Sequence, residues 1–328
     1  MNFTERSPLE QGFAQVFADD VQPTLNEFEF ERKAVLKKTY LTLAAIFLLA
    51  VAAVGLAYVI WQDRYVVPAV LLSAIFGGAA MVASWGQAGG TWGAKIKDVV
   101  MPAICTHVGD LTYTAGGSAF SLHTMKDLRL LPKHDKAALR SLLQGTHNGT
   151  GFEMVHATLT STYTDHNDRR RTTTDFQGLL FRIDLPERAP GRIALMRDRG
   201  AIGNKLAEKL AFGSTRSLPK VTFDHAAFEA AFEVYADEPD AAKTFLPDPM
   251  LDALLQIGDA HGQGLGAKSY VAGFQGHSFY MALQRQGSFM KMGRLTEPVD
   301  EIEDDLHGIF DDIALGHQII DRLTLAGA

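Results

Sequence analysis

Eleven histidines are the side chains best suited to metal chemistry in this 328-residue chain, but their spacing argues against it. Helical and hairpin metal sites draw ligands in close pairs. His156 falls in a strand-like segment, with His147 and His166 in flanking loops, and His307 and His317 stand ten residues apart on nearly one helical face. None forms a close pair. Glu153, His156, Asp175 and Glu233 are of the types used in general acid–base catalysis, and become a site only if the fold gathers them. Gly262, Gly264 and Gly266 form GQGLG, which follows a predicted helix and precedes a predicted strand. That is the reverse of the dinucleotide-binding order, so the run reads as a turn. Asp300, Glu301, Glu303, Asp304, Asp305, Asp311 and Asp312 lack the alternation and glycine of a calcium loop, and read as a solvated acidic helix face. No P-loop, GxSxG, HExxH or CxxC motif is present. The chain therefore predicts no catalytic, cofactor-binding or metal-binding residue.

Charge offers a contact site instead. Arg169, Arg170 and Arg171 occupy the tip of a predicted hairpin. From Arg169 to Lys220 there are 12 Lys/Arg against 5 Asp/Glu, a balance suited to an anionic surface. From Val221 onward, 18 acidic residues face 6 basic ones, which argues against nucleic acid as a partner. Each basic residue beside an anionic leaflet contributes about 1 kcal/mol, so the arginine tip is the expected contact with membrane lipid or a partner. The lone cysteine, Cys105, excludes an internal disulfide and reads as a small buried hydrophobe beside Pro102 and Ile104.

Two apolar runs position everything else. Tyr40–Trp61 and Tyr65–Trp85 carry no charge, and each reaches the roughly 20 residues a helix needs to cross a bilayer. Only Gln62, Asp63 and Arg64 separate them, which predicts a helical hairpin. Tyr40, Trp61, Tyr65, Trp85 and Trp92 flank the runs and are the expected interface aromatics. Ser73 and Gly77, like Ala53 and Ala57, have the four-residue spacing that lets helices approach closely. Arg32, Lys33, Lys37 and Lys38 precede the pair, Lys95 and Lys97 follow it, and the turn holds only Arg64. This distribution puts both termini on the cytoplasmic side of the inner (plasma) membrane. The expected organisation is a cytoplasmic amphipathic segment 1–38 broken at Pro23, a transmembrane hairpin 39–92 (spans 40–61 and 65–85), and a cytoplasmic domain 93–328. Glu5, Glu10, Asp19 and Asp20 make the first segment a poor lipid binder.

Behind a glycine-rich exit at Gly86–Gly93, the domain reads as α+β. Strands are expected at Leu111–Thr114, Phe152–Tyr163, Asp175–Leu185, Ile193–Met196, Phe228–Tyr235, Ser269–Phe274 and Ser278–Leu283. Helices are expected up to about His107, over 134–144, at Pro239–Phe245 and Pro249–Ile257, and from Pro298 to Leu323.

The segments FQGLLFRIDL (176–185), FEAAFEVYADEPDAAKTFLPDPMLDALLQI (228–257) and SFYMAL (278–283), with FEFERKAVLKK (28–38) and GTGFEMVHA (149–157), resemble an uncharacterised bacterial membrane family, domain of unknown function 3137. The resemblance implies a membrane location and an α+β fold, and points weakly to LemA-like membrane proteins as partners. It transfers no catalytic residue and no cofactor. The resulting expectation is a membrane-tethered interaction or regulatory domain. An unrecognised hydrolase-like enzyme and a lipid- or small-ligand-binding module stand as alternatives.

Overall fold

The computed structural model describes residues 3–61, 66–165, 168–197, 218–260, 270–285, 287 and 289–326. GQGLG, His166, Tyr65 and the 62–64 turn lie outside them, as does the side chain of Trp61. The chain is an α+β protein with a helical N-terminal region followed in sequence by an antiparallel sheet. Contacts divide it into two units: residues 1–107 with 291–310, and residues 108–290 with 311–328.

The first unit is built on two long helices. A helical turn (Phe13–Val16) and a π-helical turn (Phe17–Val21) run directly into α1 (Gln22–Trp61), and α2 spans Val66–Val108. The break expected at Pro23 is absent. A helix-interior proline removes one backbone bond and crowds the preceding turn, and the wider π turn lies just where that strain falls. The glycine-rich exit is also helical, for α2 continues through Gly86–Gly93. Gly93 has a packing reason: a β-carbon there would lie 2.8 Å from the Met292 carbonyl oxygen.

Within this unit the helices change character along their length. Leu25 on α1 and Trp92, Ile96, Val100, Met101 and Ile104 on α2 are buried, whereas Leu49 (71% exposed), Val59 (76%), Phe76 (68%) and Val82 (74%) are open. Both helices are long and apolar enough to cross a membrane. They approach closely where a β-carbon on Gly77 would meet that of Ala50 at 3.4 Å. Ala57 is buried, while Gly55 and Gly78 face open space.

The buried end is tied by polar bonds as well as apolar packing. Arg32 donates to both Glu29 oxygens (2.8 and 2.7 Å) and to the Leu295 carbonyl (2.9 Å). The Arg32 hydrogen bonds hold the Glu29 carboxyl down at about 2. Phe3, Phe13, Phe17 and Phe310 pack ring against ring. Glu10 and His307, both buried, share a 2.8 Å hydrogen bond. Burial pushes Glu10 up, but His307 and the backbone N–H groups of Arg6 and Ser7 outweigh it and hold the carboxyl below its usual range. Glu10 is thus a core residue.

The second unit is a sheet in the order β1-β2-β3-β4-β9-β8-β5-β7-β6, every described pairing antiparallel. The strands are β1 (Leu111–Gly116), β2 (Lys136–His147), β3 (Thr150–Thr164), β4 (Arg170–Asp184), β5 (Ile193–Arg197), β6 (Lys220–Val221), β7 (Phe232–Ala236), β8 (Tyr270–Gln275) and β9 (Ser278–Gln284). Helices α3 (His123–Asp127), α4 (Ala226–Ala231), α5 (Pro239–Phe245) and α6 (Asp248–Ala260) lie between strands, and α7 (Glu303–Ala326) follows them. The first two turns of α7, through Phe310, belong to the first unit and the rest to the second. One face of β3 buries Val155, Ala157 and Leu159 under Met125, Leu128 and Leu130 around α3.

Two segments depart from expectation. Residues 134–144 are not a helix, because Lys136–His147 pairs with β1 on one side and β3 on the other. Two ladders outweigh the helical propensity of KAALR. The Phe228–Tyr235 strand begins only at Phe232. Before it, His225 caps α4 by accepting the Phe228 N–H at 3.2 Å.

Candidate functional site

Three places in the described chain bear on the expected membrane, partner or apolar-ligand contact. The first is a groove between α1 and α2 in the first unit, with a volume of about 400 Å³. Lys38 and Thr42 line it from α1, and Ser84, Gln87, Thr91 and Lys95 from α2. Lys95 pairs with Glu31 and lies 4.2 Å above the Phe28 ring. Next to this groove, Tyr40 and Trp85 bring their rings to 5.8 Å, while Trp92 is buried against Phe28 instead of facing outward. Hydroxyl, amide and ammonium groups thus sit at the edge of the exposed apolar zone.

The second is the arginine tip. Strands β3 and β4 pair from Phe152↔Ile183 out to Thr164↔Arg170, whereas β9 reaches only Gly178 on β4 and β2 begins opposite Thr160. The outer hairpin is therefore a two-stranded ribbon, with Tyr163, Arg169, Arg170 and Arg171 exposed. Asp165 organises its end by accepting the Arg169 N–H (3.0 Å) and the Arg171 Nε–H (3.1 Å).

The third is an apolar cavity of about 410 Å³ in the second unit, missed by sequence reasoning. Leu185, Phe245, Met250, Phe274 and Leu323 form its walls, and Glu187 supplies a charge. A mostly apolar cavity with few polar groups is the usual form of a small-ligand site. The apolar FLPDPM between α5 and α6 was the signal that could have marked it: Pro247 and Pro249 end one helix and start the next, leaving Phe245 and Met250 at the joint.

The acid–base candidates are not gathered. Glu153 accepts from Gln144 (2.9 Å), Asp175 from Ser161 (2.6 Å), and Glu233 from Tyr235 (3.0 Å). Glu153 on β3 and Glu233 on β7 are five strand steps apart, about 24 Å at the usual strand spacing. Among the described residues no group of three His, Cys, Asp or Glu is placed to hold a metal ion. Burial pushes the Cys105 thiol up to about 11, which keeps it protonated and unreactive. The acidic face of α7 is only partly solvated. Asp312 is buried, bonded to Arg285 and to the Met290 N–H (2.8 Å), and burial raises its pKa despite the arginine.

His317 was expected to be an ordinary histidine, and its setting is specific. It stacks on His147 at 3.9 Å between ring centroids and 7° between planes, and His147 bonds Asp321 at 2.8 Å. Burial, with His147 beside it, pushes His317 down to about 4. The unfolded chain takes up this proton near pH 6.5, the folded chain only near pH 4. Stability from neutral His317 is complete above pH 6.5 and falls by about 1.4 kcal/mol per pH unit as the pH drops towards 4. Denaturant unfolding of the full chain should therefore lose roughly 2–3 kcal/mol more between pH 6.5 and 4.5 than the His317→Phe variant does. Parallel pH profiles would contradict this assignment.

Residues 174–325 match the family model described as Protein of unknown function (DUF3137). This segment contains most of β4, the apolar cavity and most of α7. No curated protein matches the chain. A crystal structure of the mycobacterial trehalose monomycolate transport factor A is similar with a TM-score of 0.31 at 9% identity, covering 65% of this chain and 88% of that one. A likeness of that size carries no functional implication. The similarity to the domain of unknown function 3137 thus covers residues 174–325 of this chain.

Proposed function

We propose that the protein is a membrane-tethered interaction or regulatory module. In this reading α1 and α2 cross the bilayer as a hairpin, residues 1–38 and 93–328 lie on the cytoplasmic side, and the sheet domain acts at that surface. The observation that carries it is the exposure of large apolar side chains around both helices, from Leu41 to Ile60 and from Val67 to Val82. A helix apolar all round belongs in a membrane or in a protein core, and this pair is not in a core. The basic residues Lys33, Lys37, Lys38, Lys95 and Lys97 favour the cytoplasmic orientation. The polar groove and the Tyr40–Trp85 pair suit the headgroup layer. LemA-like membrane proteins remain the proposed class of neighbour.

A second reading rests on the apolar cavity behind Phe245 and Phe274. It makes the domain a receptor for a lipid or another small apolar ligand.

Orientation is tested by reporters fused after Ala328. A cytoplasmic reporter should be active there and alkaline phosphatase inactive, and the reverse pattern would contradict the topology. The arginine tip is proposed to rest on anionic headgroups, which its exposed Tyr163 and three arginines suit. Its own arginines provide the probe. Trypsin should cleave at 169–171 several-fold more slowly in phosphatidylglycerol nanodiscs than in phosphatidylcholine ones, and high salt should remove the difference. Equal rates in both lipids would rule the contact out.

A further inference from the structure

The short helix α3 ends in a turn that normally takes glycine. Leu130 donates its N–H to the Met125 carbonyl (2.9 Å), and Arg129 donates its N–H to that of Lys126 (3.0 Å). These are the paired bonds of a Schellman cap. The residue the cap forces into the left-handed region is Arg129, at φ +55°. Glycine takes this conformation freely, whereas a side chain is crowded there. Something other than the turn itself favours an arginine.

The guanidinium gives the reason. Arg129 Nη1 is buried and has no hydrogen-bond partner among the described residues. It lines an open cavity of about 400 Å³ together with Lys126, Asp127, Arg192 and Gln275. Gln275 Oε1 is likewise buried and unpartnered among the described residues. Arg192 is held rigid, for Asp237 accepts from its Nε (3.0 Å) and Nη2 (2.8 Å), and from its backbone N–H (2.8 Å). Asp127, the one carboxylate in the lining, is paired with His123 at 3.0 Å. Lys126, Arg129 and Arg192 therefore line one cavity, with Asp237 already paired to Arg192 and Asp127 the one carboxylate of the lining.

Buried donors without acceptors are costly, and a bound group that supplies the acceptors removes the cost. We propose that this cavity binds a phosphate monoester. A phosphoryl group offers three terminal oxygens to Lys126, Arg129 and Arg192, and arginine's planar fork suits such oxygens. The cavity falls in the size range of small-molecule sites and exceeds one phosphate, so the ligand carries an organic part. A hydroxyl on that part would satisfy the Gln275 amide. The same chemistry is found on a soluble metabolite and on a lipid headgroup.

Calorimetric titration of the full chain separates these sources. Glycerol 3-phosphate is the soluble probe, added to protein in micelles. Phosphatidic acid in nanodiscs is the lipid probe, with phosphatidylcholine nanodiscs as the blank. Arg129→Gly is the informative variant because glycine suits the cap. Saturable binding of either probe is expected, weakened at least about tenfold by Arg129→Gly, with the melting temperature unchanged or raised. Lys126→Gln, at an exposed position, should also weaken binding. Arg129-dependent binding of glycerol 3-phosphate assigns a soluble ligand, and dependence seen only with phosphatidic acid assigns a headgroup. The proposal is overturned if neither probe binds, if Arg129→Gly binds like the parent, or if that variant melts much lower, since the arginine would then be holding the fold.

Discussion

Withdrawing apolar surface from water is worth about 25 cal/mol per Å², and the C-terminal half of α1 and the N-terminal part of α2 forgo nearly all of it. Most side chains from Leu41 to Ile60 and from Val67 to Val82 are exposed and only Ala57 is buried there, although the helices approach closely at Ala50 and Gly77. In the proposed reading, lipid covers this surface. Its need for an apolar surrounding is the constraint from which the proposed location, orientation and working surface of the protein all follow.

The same helices are treated differently at their other end. There Phe13, Phe17 and Phe310 close a ring cluster, Arg32 is fixed by Glu29 and Leu295, and Glu10 meets His307. Removing one partner from such a buried bond leaves a group that water cannot reach, which is costly. The first unit is thus a polar-stitched base beneath an unsatisfied apolar hairpin. Residues 291–310, far along the chain, are part of that base.

What was legible in the sequence was local. The two apolar runs and the β3–β4 and β8–β9 strand pairs stand close to where patterning placed them, because each depends on residues close in the chain. What was not legible depends on distant partners. Lys136–Leu143 has helical composition and becomes a strand only because Leu111–Gly116 and Thr150–Thr160 flank it. Glu10 and Asp312 look like surface acids until His307 and Arg285 are seen beside them, 297 and 27 residues away. The apolar cavity draws on Leu185, Phe245, Phe274 and Leu323, four segments that no spacing rule connects. The cation cavity escaped for the same reason, and also because an arginine in a glycine position cannot be recognised before the turn is known.

The central claim is that hydrocarbon surrounds the exposed hairpin, and the most direct measurement is spin-label depth. Nitroxides placed singly at Leu49 and Phe76, in full-length protein reconstituted into lipid nanodiscs, report whether oxygen or a water-soluble nickel chelate reaches them. The account predicts high oxygen and low nickel accessibility at both positions, with the reverse at an Asp98 label. Ready access of nickel to positions 49 and 76, or labels immobilised by protein contact there, would contradict it.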